Sequence, residues 1–143
     1  SKRKPRKRKF LMLNREAKPT REQDLNLISI LLKNRAIFPP KLRKKKLIMK
    51  LQEELNRQFG MNLVVDGIYG VGTHNAIVVL SYGCRGNLTK VLQGLLICKG
   101  YDTNGFDGIY GVGTNSAVET YQRTHCLNDD GIAGGNTFRS LCA

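Results

Sequence analysis

The sequence is poor in the residues that build catalytic and metal centres. Its 143 residues include two histidines, His74 and His125, which lack the paired spacing of a zinc site. The four cysteines, Cys84, Cys98, Cys126 and Cys142, are widely separated and form no metal motif. Their oxidation state is open: Cys126 and Cys142 flank the last glycine-rich stretch and are candidates to meet, whereas Cys98 lies in an apolar helical run that equally suits a free thiol. No segment is long enough to span a bilayer, and Phe10-Leu11-Met12-Leu13 is too short for the core of a secretory signal. Strand character is confined to Leu63-Val64-Val65, too little for a sheet. The oxygen-rich stretches Asp102-Thr103-Asn104 and Asp129-Asp130 lack the ligand series of an EF-hand loop. Hydrolytic chemistry needs a metal, a Cys/His pair or two carboxylates in a cleft; Cys126 and His125 are sequence neighbours that leave one helix in different directions. The sequence therefore reads as a non-enzyme with no metal and no cofactor.

Acidic residues are scarce in the first third. Residues 1–50 hold eighteen Lys and Arg against three acids, whereas residues 51–143 hold six against eight, so the whole net charge of +13 originates at the start of the chain. Lys2, Arg3, Lys4, Arg6, Lys7, Arg8 and Lys9 form a basic arm suited to nucleic acid, an anionic surface or an acidic protein partner.

What the chain has in abundance is an internal repeat. Asp66-Gly67-Ile68-Tyr69-Gly70-Val71-Gly72-Thr73 recurs residue for residue as Asp107-Gly108-Ile109-Tyr110-Gly111-Val112-Gly113-Thr114, at a spacing of 41, and a looser copy runs from Asp130 to Thr137. Asp before Gly favours a turn in which the carboxylate accepts backbone N–H groups, and Gly supplies unusual backbone angles. Asp66, Gly67, Gly70, Thr73, Gly108, Gly111, Thr114, Asp130, Gly131, Gly134 and Thr137 are read as residues that hold the loops, with each Thr capping the following helix and with Ile68 and Ile109 plugging the loops onto the core.

Helical periodicity fills the intervals. Thr20 to Asn34 carries Leu25, Ile28, Leu31 and Leu32 at helical spacing; Pro39-Pro40 breaks the chain; and Leu47, Ile48, Leu51, Leu55 and Phe59 mark a long amphipathic helix that Gly60 stops. A short helix with Ala76, Ile77 and Leu80 is expected to end near Gly83, followed by helices over Leu88 to about Gly100 and Asn115 to His125, and a last turn with Phe138 and Leu141. Leu47, Leu51, Gln52 and Leu55 match Leu88, Leu92, Gln93 and Leu96 at the same offset of 41, so the duplication includes the helices.

The segment Leu88 to Leu141 resembles the peptidoglycan-binding domain family of bacterial and phage cell-wall hydrolases. The resemblance rests on Val91-Leu92-Gln93, Leu96, Gly100-Tyr101, Asp107-Gly108-Ile109-Tyr110-Gly111, Thr114, Ala117-Val118, Tyr121-Gln122, Leu127, Asp130-Gly131, Gly134, Thr137 and Leu141. It implies an all-α fold, a small helical bundle of helix, glycine-loop, helix units behind an extended basic N-terminal arm. It also implies a surface for peptidoglycan around Tyr101, Asp107, Tyr110, Asn115 and Tyr121, where exposed Tyr would stack on sugars. The first copy has Leu80 and Ser81 where the second has Tyr121 and Gln122, and reads as a scaffold without a ligand of its own.

The expected organisation is an arm at 1–19, a helix and Pro-containing basic linker at 20–46, a degenerate half-repeat at 47–87 and a peptidoglycan-binding domain at 88–143. The leading functional expectation is a non-catalytic wall-binding component of a larger assembly such as a phage tail or baseplate, located in a virion or delivered to the wall. In it the arm and first helix contact protein partners. Two alternatives are a targeting fragment of a lytic enzyme and a structural adaptor or nucleic-acid binder that reuses the fold, with nucleic acid held by the arm.

Overall fold

The computed structural model describes residues 39–143. The basic arm from Lys2 to Lys9 and the helix expected at Thr20 to Asn34 lie outside the described residues. Within them the fold is all-α, as the periodicity and the resemblance imply, with helices α1 (Pro40–Phe59), α2 (Val71–Ala76), α3 (Asn87–Cys98), α4 (Val112–Thr124) and α5 (Gly135–Cys142). Pro40 occupies the first position of α1, where its missing N–H costs nothing, and Gly60 ends the helix in the left-handed conformation at φ 65°.

One core unites the two copies. Leu47, Leu51 and Leu55 of α1 meet Leu88, Leu92 and Leu96 of α3, together with Val118 and Tyr121 of α4 and Phe138 and Leu141 of α5. Gly94 lets α1 approach closely, since a Cβ there would stand 3.0 Å from the Leu47 side chain.

Each glycine loop is fastened from inside by a buried glutamine. The Gln93 amide nitrogen donates to Asp107 Oδ1 at 3.1 Å, to the Ile109 carbonyl at 3.1 Å and to Thr114 Oγ1 at 2.9 Å, while its oxygen accepts from the Gly108 N–H at 2.8 Å. Gln52 repeats the pattern with Asp66, Ile68 and Thr73, at 3.1, 3.0 and 3.1 Å, and accepts from Gly67 at 2.9 Å. Gln122 does so with Asp130, Ile132 and Thr137, at 3.3, 2.9 and 3.0 Å, and accepts from Gly131 at 3.0 Å. The expected Asp turn is present in all three loops, with Ile68, Ile109 and Ile132 donating their N–H to the preceding carboxylate. Gly108 sits at φ 76° with the Gly86 carbonyl 3.0 Å from where a Cβ would be, so both backbone and space require glycine.

Several local expectations are corrected. The helices after the loops begin two residues before each Thr, and Gly70, Gly111 and Gly134 are their N-caps with no side-chain cap bond. Thr73, Thr114 and Thr137 are instead buried acceptors for the glutamines. Ile68 and Ile109 are not plugs; they are 66% and 45% exposed. Consecutive side chains of an extended pair point to opposite faces, so the next residue turns inward: Tyr110 and Ala133 are fully buried.

Helix α2 stops at Ala76, well before Gly83, because Ile77-Val78-Val79 favours extended backbone and Leu80 pairs with loop three. The Leu80 N–H donates to the Ala133 carbonyl at 3.0 Å, and Ala133 returns the bond at 2.8 Å. A few residues on, Gly83 donates to Tyr110, Tyr110 to Cys84 and Gly86 to Gly108, each at 2.8 Å, so one segment seats both the second and third loops. All four cysteines are free thiols, with Cys142 buried and Cys126 exposed, so the two do not bond. The first copy is tied to the last helix by His74, whose Nε2 accepts from Arg139 at 2.8 Å, and by Tyr69, which donates to the Gly135 carbonyl at 3.3 Å.

Replacing Gln93 with Met preserves volume but removes the partner of the buried Gly108 N–H and the donor to the buried Thr114 hydroxyl. We expect a loss of about 2–4 kcal/mol in urea unfolding, and losses of the same sign for Gln52→Met and Gln122→Met.

Candidate functional site

The loops place three kinds of group at the surface. The first is the carboxylate of Asp107, exposed but anchored through Oδ1. Partial burial raises its pKa, yet the Ile109 N–H, the Gln93 amide and Lys90 together outweigh burial and leave it below the ordinary carboxylate value. Asp66 is likewise held down, chiefly by the Ile68 N–H and then by the Gln52 amide. Both loops therefore present an anion at neutral pH.

The second is a set of aliphatic side chains that the fold does not bury. Val71 and Val112 open α2 and α4 at 77% and 75% exposure, beside Ile68 and Ile109 in their loops. The third is Tyr82, exposed at 61% and joined to loop two through the neighbouring Gly83. Sequence reasoning missed Tyr82 because it assigned residues up to Gly83 to a helix; the flanking Ser81 and Gly83 were the available turn signal.

The expected surface residues divide. Tyr110 and Tyr121, expected to expose their rings, are buried to within 1%. Tyr110 is the inward residue of its loop and donates to the Gly131 carbonyl, and burial pushes its phenol pKa well up. Tyr121 lies on the inner face of α4, with its hydroxyl 2.6 Å from Ser140 Oγ and its ring stacked on His125 at 3.9 Å. Neither offers a ring face to a ligand in this arrangement. Tyr101 is half-buried, edge-on to Tyr121 at 5.2 Å, with its hydroxyl on Thr124 at 2.8 Å. Asn115 is half-buried between the second and third loops, 3.4 Å from Glu119 Oε2. Asp107 is the fully surface-facing member of the set.

Among the described residues no group of His, Cys, Asp and Glu is arranged to hold a metal ion. Burial pushes the Cys142 thiol up to about 12 against the opposing pull of Lys44 and Lys99, which leaves it protonated and a poor nucleophile at neutral pH. No helix of the described residues is long and apolar enough to cross a membrane.

Residues 85–141 match the model of the family described as "Putative peptidoglycan binding domain", which comprises α3, α4, most of α5 and the second and third loops. This part of the chain matches that family, in agreement with the resemblance read from its glycine loops. Among solved structures the chain is similar to a peptidoglycan-binding protein from Clostridioides difficile, determined in complex with glutamine hydroxamate. The two are 35% identical with a TM-score of 0.43, and the match covers 44% of this chain and 39% of that one. The chain thus spans well under half the length of this neighbour. No curated protein matches it.

The depressed Asp66 and Asp107 pKa values have a thermodynamic sign. The unfolded chain binds protons more readily at these positions, so the stabilisation is present above the unfolded carboxylate pKa of about 4 and disappears as pH falls through the folded values. Urea unfolding between roughly pH 6 and pH 2 is expected to show this acid loss, and Asp107→Asn is expected to flatten it.

Proposed function

We propose that this chain is a non-catalytic peptidoglycan-binding protein whose ligand surface lies on loop two, formed by Tyr82, Ile109 and Val112 with the Asp107 carboxylate, and bordered by Asn115 and Tyr101. The observation that carries the reading is the coincidence of the family match at 85–141 with the aliphatic side chains Ile109 and Val112 left exposed on its glutamine-fastened loop, next to exposed Tyr82 just outside the match. A rigid backbone with adhesive tips is what a low-mobility polymer needs from a binding module. Tyr82 offers a flat face for a sugar ring, and Ile109 and Val112 offer aliphatic surface for the alanine methyls of stem peptides. The charge segregation supports a finer reading, in which the chain works within a larger assembly such as a phage tail or baseplate and its basic first residues engage the partner. A targeting role beside a separate lytic domain rests on the same surface.

A second reading draws on α1. Lys41, Lys44, Lys45 and Lys46 crowd its first two turns with no acid among them, against the helix dipole, and give the described residues a polyanion-attracting end, whereas Arg43 and Lys50 are buried. Attraction of that kind falls steeply with salt.

Sedimentation of the full chain with purified sacculi at low and high salt separates the two. Retention in high salt, weakened about tenfold by Tyr82→Ala and unchanged by Tyr110→Phe, is the expected outcome. Retention lost on adding salt, with no effect of Tyr82→Ala, would assign the binding to charge and remove loop two from the site.

A further inference from the structure

We propose that loop one, from Asp66 to Thr73, is a second peptidoglycan contact, so that a single chain grips the wall polymer at two places. The inference rests on the wall-binding reading of loop two and extends it to a part of the chain that the family match does not include.

The three loops supply an internal comparison that separates what folding demands from what the surface displays. All three share the Asp, the following Gly, a buried Thr and the glutamine that fastens them. The third loop completes this network with Ala133 in place of the tyrosine and Gly135 in place of the valine, so the scaffold requires neither. Loops one and two nevertheless both keep a valine there, and in both it is exposed, at 77% in Val71 and 75% in Val112. Ile68 is 66% exposed and Ile109 45%. A valine that projects into water gains nothing for the core, and loop three, which keeps an exposed Ile132 but has Gly135 in the valine's place, shows that the backbone does not need the valine.

The rest of the surface matches too. Gly67 and Gly108 adopt φ 75° and 76°, the glutamine bonds agree closely in length, and each carboxylate is exposed and held in its charged form. Loop one is thus the same chemical face as loop two, with its aliphatic pair more exposed. The shared elements, a carboxylate beside Ile and Val, suit the peptide portion of the wall: alanine methyls pack on the aliphatic pair, and peptide amino or amide N–H groups meet the carboxylate. The position that corresponds to Tyr82 at the repeat offset of 41 is Lys41, so the stem peptide is the moiety both loops recognise. Peptidoglycan repeats this peptide along every strand, and two weak contacts on one rigid core raise overall retention without any new type of contact.

The test compares the full chain with Ile68→Ser/Val71→Ser, with Ile109→Ser/Val112→Ser and with all four substitutions, by sedimentation with purified sacculi in high salt, with helix content monitored by circular dichroism. Each pair is expected to lower the apparent affinity about tenfold or more, and the four together to abolish retention. Wild-type affinity of the loop-one variant, alongside weakened binding of the loop-two variant, would overturn the inference and leave the wall-binding proposal intact. Equal retention of all four proteins, or no retention of the wild type, would overturn both.

Discussion

A buried primary amide is the interaction on which the rest of this structure depends. Each loop has to leave a helix, reverse and start another helix within 10 to 13 residues, which exposes backbone N–H and C=O groups to an apolar interior. One glutamine carboxamide answers several of these groups at once: its nitrogen serves a carboxylate, a carbonyl and a threonine hydroxyl, and its oxygen takes the glycine N–H. The amide must be buried to do so, and it must come from a helix already fixed by its leucines. The core and the loops are therefore cooperative, since neither Gln52, Gln93 nor Gln122 has its partners unless the helix beneath is in place.

The consequence for function is a division of labour along the octapeptide. Asp, Gly and Thr face the glutamine, Tyr110 turns into the core, and Ile109 and Val112 face water. Rigidity limits the entropy lost when such a surface meets a ligand, and the loop carries no flexible long side chain that binding would have to freeze. The cationic half of α1 stands apart from this logic. It crowds charge at the end of the helix where the dipole disfavours it, and the described residues offer it few acids in return.

Much of this was legible in the residues. The 41-residue repeat, the all-α class, the Asp turns, the end of α1 at Gly60 and the position of the family match follow from local chemistry and internal identity, whereas the expected basic linker up to residue 46 is the first part of α1. What was not legible depends on tertiary partners. Gln52 and Gln93 were visible as a matched pair, but a glutamine in a helix shows no sign of burial until the loop folds over it. Threonine before a helix resembles a cap, and only the fold shows Thr114 one turn deeper, accepting a side-chain amide. The exchange of roles between Ile109 and Tyr110 has the same origin: hydrophobicity identifies both as core candidates, and the direction in which an extended pair alternates is set by where the carboxylate turn points. Tyr82 and the short α2 were missed together, because Ile77 to Gly86 takes its backbone partners from loops distant in sequence.

The segment from Ile77 to Gly86 also bears on how the molecule responds to force. It joins the two copies of the repeat, and it is stitched by backbone bonds to Ala133 on one side and to Gly108 and Tyr110 on the other. Tension applied between the start of α1 and loop two would run through these few bonds in parallel with the leucine interface of α1 and α3. These bonds hold the two repeats together against extension until they part.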